Sequence, residues 1–253
     1  MKDRVRLAIT ASLGAALLAE GAVAPAGAAE IIGTDFDVIY DPSTLGLFGT
    51  LSLVGDTLSF TPNNFIATST NGQGVVTPTG ATTASNIQLV ANPGFHFGSL
   101  QLTEFGDYLL SGAGSSVSLS GELIAFDGDA TANPVASYTT STITPTGLLN
   151  VNSGAAVNWS ATAGITNATP TVGGGGAWLA SAGTVDLSIE NLLAASTVSA
   201  NSEALIQKKA AFGGVGLTVT PVPLPGALWL LGSGLVALVG TSGRRRLPLP
   251  VAG

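Results

Sequence analysis

Apolar residues recur at every second position over many short stretches of this chain. Val185, Leu187 and Ile189 alternate with Asp186, Ser188 and Glu190, and Val215, Leu217 and Val219 alternate with Gly216, Thr218 and Thr220. Successive side chains of a strand point to opposite faces, so this period predicts strands with one buried and one solvated face. Val117 and Leu119 keep the rhythm against Ser116, Ser118 and Ser120, but Leu123, Ile124 and Phe126 break the phase after Gly121, where a β-bulge is expected. The segment TLSLVGDTLSFT sets Gly55-Asp56 between two alternating flanks and predicts a hairpin over residues 50–61. Further strands are expected at 36–40, 86–91, 99–104, 107–111, 135–143, 155–161 and 204–208. Turn residues separate them at Asn63-Asn64, 77–80, Asn92-Pro93-Gly94, Asn133-Pro134 and 173–176. Short strands at this density predict an all-β domain over residues 30–220, a β-sandwich or jelly roll. No repeat of fixed period suggests a propeller or solenoid.

The alternation disappears at both ends. Residues 1–29 have the order of a secretory signal: Lys2, Arg4 and Arg6, then an apolar run over 7–18, then small residues with cleavage expected after Ala28 or Ala29. Twelve apolar residues make roughly 18 Å of helix, short for a hydrocarbon core of ~30 Å, so removal is expected rather than anchoring. At the other end, residues 226–243 contain no charge and are followed at once by Arg244, Arg245 and Arg246. Eighteen residues make about 27 Å of helix, enough to cross a bilayer. Three arginines beside the span orient that end to the cytoplasm and the body to the far side. Export through the signal segment requires the same topology.

Immediately before the span stands Val222-Pro223-Leu224-Pro225. Two prolines remove two backbone donors and bias their neighbours to extended conformations, a form suited to the cleft of a protease or transpeptidase. This order of proline motif, hydrophobic span and arginine cluster over 221–253 resembles the PEP-CTERM sorting signal in its VPLP variant. The resemblance covers the tail alone. It implies export by the Sec pathway through signal peptidase, transient anchoring in inner-membrane lipid through residues 226–243, and cutting near Val222–Pro225 by an exosortase-type enzyme. It further implies delivery to the cell surface, outer membrane or extracellular matrix of a Gram-negative bacterium.

Composition narrows the chemistry of the body. Between Glu30 and Thr220 two lysines face thirteen carboxylates, a net charge of −11, which repels phosphate backbones and argues against a nucleic-acid partner. The chain has no cysteine, which removes disulfides, thiolate metal sites and a cysteine nucleophile. Its one histidine, His96, stands between Phe95 and Phe97 as an outward residue of a strand and has no evident catalytic partner, and no G-x-S-x-G elbow is present. Loop aspartates are weak calcium candidates: Asp35, Asp37 and Asp41 in one group, Asp127 and Asp129 in another. Solvated loop acids are the plainer reading of both, and no cofactor is expected. Glu104, Asp107 and Glu122 are candidates for a glycosidase pair, and Trp159 and Trp178 for stacking on sugars, although tryptophan in a sandwich is more often core. The expected function is therefore a non-enzymatic, structural surface or matrix protein. A lectin-like module that binds exopolysaccharide is the alternative, and a polysaccharide hydrolase comes third.

Overall fold

The computed structural model describes residues 27–129, 138–172, 178–210 and 213–224. The expected signal segment up to residue 26, Pro225, the span over 226–243 and Arg244, Arg245 and Arg246 lie outside the described residues. Among the described residues no helix is long and apolar enough to cross a membrane.

The described residues form fifteen strands: β1 Ala29–Ile31, β2 Phe36–Tyr40, β3 Thr50–Val54, β4 Thr57–Thr61, β5 Ile66–Thr70, β6 Gly74–Val76, β7 Thr83–Ala91, β8 Phe95–Ser111, β9 Ser115–Asp127, β10 Tyr138–Thr142, β11 Thr144–Pro145, β12 Val157–Thr166, β13 Thr184–Thr197, β14 Glu203–Lys208 and β15 Val215–Pro223. They make two antiparallel sheets. The first runs β1-β2-β7-β13-β9-β10, with β6 pairing the far end of β13. The second runs β11-β12-β8-β15-β4-β3, and β14 pairs β8 beyond the end of β15 and carries β5 on its other side. The all-β, sandwich-like expectation is met. Inward residues of both sheets share one core, with Phe36, Val38, Leu89, Val185 and Leu187 from the first and Leu58, Leu100, Leu102, Ile206 and Leu217 from the second.

The hairpin of β3 and β4 closes through Gly55, whose φ of 57° is open to glycine at little steric cost. Expected strands 99–104 and 107–111 prove to be one strand of 17 residues, β8. Gly106, in the gap between the two expected strands, sits inside it, and a Cβ there would lie 2.0 Å from the Gln207 carbonyl oxygen and 2.6 Å from the Trp159 ring. β8 is the spine of its sheet, bonded to β12 along one edge and to β15 and β14 in succession along the other.

The bulge expected at Gly121 is not there. β9 pairs β13 in unbroken register from Ser115 to Asp127, so Val117, Leu119, Gly121, Leu123 and Ala125 all share the inward face. Gly121 fills a core position at which Ile143 and the Glu190 carbonyl leave no room for a side chain. Ile124 and Phe126 belong to the outer face, where the Phe126 ring packs 5.6 Å from that of Tyr138. In this sheet the register shift lies between β7 and β13, opposite Leu187–Ile189, where Asn86 takes a φ of 53°. Asparagine tolerates that left-handed conformation better than most residues, which makes it a natural bulge residue.

Candidate functional site

The first three residues of the proline motif do not leave the fold as a free linker. β15 continues past its partner β4, whose last pair is Thr218 with Thr57, and runs along β8 alone: Val222 pairs His96 and Pro223 pairs Phe95. The Leu224 amide donates to the Gly94 carbonyl at 2.7 Å. Strand alternation then turns the nitrogens of Pro221 and Pro223 to the unpaired side. A proline there removes a donor that would otherwise present an open edge to other chains. The motif is thus extended, as expected, but docked through its even-numbered residues. His96 lies beside Val222 rather than in a cluster of chemical groups.

A second arrangement lies in the core. Glu104 stands in the inward row of β8 after Leu100 and Leu102, Lys208 in that of β14 after Ala204 and Ile206, and Asn191 in that of β13 between Ile189 and Leu193. Lys208 Nζ lies 2.6 Å from Glu104 Oε2, and both side chains are 0% exposed. Opposite charge carries the contact. Asn191 Nδ2 donates to the same Oε2 at 2.6 Å. Three rings enclose the ammonium, with Phe65 at 5.0 Å, Phe48 at 5.4 Å and Trp159 at 5.9 Å from Nζ to ring centroid. Such faces attract a cation through their quadrupole. Burial pushes the pKa of Lys208 down, and the charge of Glu104 opposes that shift without cancelling it. Glu104 Oε1, Asn191 Oδ1 and Trp159 Nε1 have no hydrogen-bond partner among the described residues. Native interiors leave few polar atoms in that state, and a buried ion pair often contributes less to stability than apolar residues of the same volume.

On the opposite face of β8, Asp107 receives a hydrogen bond from Gln207 Nε2 at 2.8 Å and pairs with Lys209. Both lysines of the body are thereby matched to carboxylates. The proposed glycosidase set does not assemble, because strand alternation turns Glu104 into the core and Asp107 to the other face, and Glu122 belongs to the other sheet. Trp159 and Trp178 are core residues at 6% and 8% exposure, not exposed platforms for sugar rings. The Trp178 indole donates to Thr139 at 3.2 Å.

The calcium candidates do not converge either. Among the described residues no three acidic or histidine side chains come together as a metal site. Asp37 accepts from the Gly33 amide, and Asp41 accepts from the Ser43 amide and hydroxyl, bonds that hold its pKa below the usual carboxylate range. Asp127 accepts from the Asp129 amide, and Asp129 in turn accepts from those of Gly183 and Thr184. Asp35 contributes its backbone carbonyl to Asn92. These are turn-forming roles that short acidic side chains fill in loops.

The outer face of the first sheet carries an open cleft of about 750 Å³. Tyr40 and Phe126 line it together with Asp41, Asn86, Gln88 and Asp186, and Gln88 donates to Asp186 at 2.9 Å.

The buried lysine and asparagine escaped the sequence reading, although a signal existed. Continuing the alternation of each strand places a polar residue on an otherwise apolar row three times. Asn191 was masked because the adjacent Leu192 and Leu193 hide the phase of β13. No family model matches the chain, and neither a curated protein nor a solved structure matches it.

Proposed function

We propose that this is an exported surface or extracellular-matrix protein, sorted and C-terminally processed by an exosortase-type enzyme. Its acidic β-domain has a non-catalytic, structural role in the exopolysaccharide or envelope. The observation that carries the reading is the order of Val222–Pro225, the uncharged stretch 226–243 and Arg244–Arg246. The end of β15 fits it: Val222 to Leu224 are the last described residues and are held to β8, so cutting after them spares both sheets. Glu104 and Asp107, each committed to a lysine, favour the structural half of the reading. Intact mass of the mature protein, combined with cell fractionation, tests the proposal. A surface or extracellular species ending near Pro225 is the expected result. Full-length tail recovered from the inner membrane of cells that contain an exosortase overturns the processing.

The cleft beside Tyr40 and Phe126 favours a second reading, a lectin-like module for exopolysaccharide, because aromatic faces with flanking amides and carboxylates suit sugar rings. Calorimetric titration with purified exopolysaccharide tests it. Binding that weakens in a Tyr40→Ala chain supports this reading, and absence of heat removes it.

A further inference from the structure

We propose that Lys208 and Asn191 become joined by an isopeptide bond, Nζ to Cγ, formed inside the folded chain with Glu104 as the proton shuttle.

The inference rests on placement. A primary amine and a carboxamide converge on one oxygen, Glu104 Oε2, each 2.6 Å from it, so Nζ and Nδ2 are no more than twice that distance apart. They come from different sheets, Asn191 on β13 and Lys208 on β14. An ordinary buried ion pair needs no amide on the same oxygen. Nor does it account for the unpartnered Glu104 Oε1 and Asn191 Oδ1, each buried and adjacent to the pair. Phe48, Phe65 and Trp159 keep the centre dry, which disfavours hydrolysis in competition with attack by the amine.

The chemistry balances within these three residues. Burial lowers the pKa of Lys208 and so favours the uncharged amine, which is the nucleophile. In the neutral form of the pair the proton rests on Glu104. Turning the Asn191 amide over about its terminal torsion brings Oδ1 to the carboxylic acid, which polarises the carbonyl. The Nζ lone pair then attacks Cγ and forms a C–N bond. The Cγ–Nδ2 bond breaks as Glu104 delivers its proton to the departing nitrogen, and ammonia leaves. Glu104 recovers a proton from the attacking nitrogen. Nothing is oxidised or reduced, and no co-reactant is needed.

The product ties the two sheets covalently in a chain that has no cysteine with which to form a disulfide. It also replaces a buried charge pair with a neutral amide, which removes the cost of holding two charges away from water.

The test uses the full chain isolated from expressing cells, denatured and cleaved after glutamate. Glu190 and Glu203 bracket residues 191–203, so this peptide should separate from the one that begins at Ala204. The expected result is one branched species containing both sequences, lighter than their combined masses by one ammonia. A cyclised asparagine also loses ammonia but leaves the two peptides separate. Recovery of both peptides unlinked overturns the proposal. An Asn191→Asp chain supplies a second readout: bond formation there expels water, so its linked product has the same mass as that of the wild type, and a differing mass overturns the bond. Glu104→Gln should yield unlinked peptides, whereas a linked product in that variant overturns the shuttle role. The wild-type digest decides the bond whether or not either variant folds.

Discussion

Gly106 is the residue on which the core site depends without taking part in it. Its missing side chain lets Trp159 lie against β8, where the ring helps to close the cage around Lys208. Gly106→Ala forces the indole or the backbone of β14 to move, and overpacking of this kind costs ~1–3 kcal/mol. Urea denaturation is expected to show a loss of that size with an unchanged m-value. Lys208 supports a second expectation, for an Asn191→Ala chain that keeps the amine but cannot form the cross-link. Burial holds the folded-state pKa below the ordinary lysine value of 10.5. Between the two values the unfolded chain binds more protons than the folded one, so stability rises with pH. The contribution is complete above 10.5 and is lost as pH falls through the folded value. Chemical denaturation of Asn191→Ala in steps from neutral pH towards 10.5 is expected to show this rise. Adding Lys208→Met flattens it, and the wild-type chain lacks it once its amine is consumed.

At the scale of elements, β15 combines two regimes in one strand. From Val215 to Thr218 it is bonded on both sides, by β4 and β8, whereas from Thr220 onward β8 alone holds it. A strand with a single neighbour opens at lower free energy than one enclosed by two. Amide hydrogen exchange is therefore expected to be slow at Leu217 and markedly faster at Val222 and Leu224. Equal protection along the strand would show that the motif does not fray ahead of the rest, and the proposed processing enzyme would then have to open it. Pattern reading recovered the β3–β4 hairpin and the extent of β2 because both are local. It misread Gly121 as a bulge and left Gly106 between two separate strands, although a glycine gives the same local signal at a bend and where another chain segment approaches closely. Only the partners, Ile143 and Glu190 in one case and Gln207 and Trp159 in the other, separate the two.

For the molecule as a whole, the balance of charge has a simple consequence. The two lysines of the body are matched to Glu104 and Asp107, so its remaining carboxylates have no lysine to balance them. Self-repulsion destabilises such a fold at low ionic strength, and salt screens it over a Debye length of ~10 Å at 0.1 M. The melting temperature is expected to rise as sodium chloride is raised from a few millimolar to physiological strength, and calorimetry checks it. The all-β class, most of the strands and the lack of cysteine chemistry were legible in the amino-acid sequence, because alternation and composition are properties of the chain itself. The order of tail segments that motivates the sorting proposal is likewise read along the chain. The meeting of Glu104, Asn191 and Lys208 was not, since Glu104 lies 87 residues before Asn191 and only the stacking of the two sheets brings the three to one point. Tertiary structure also decided that, of the carboxylates first considered for catalysis, Glu104 faces the interior, Asp107 the opposite side of β8, and Glu122 stands on the other sheet, because a strand's register sets the direction of each side chain and its partners determine what lies there.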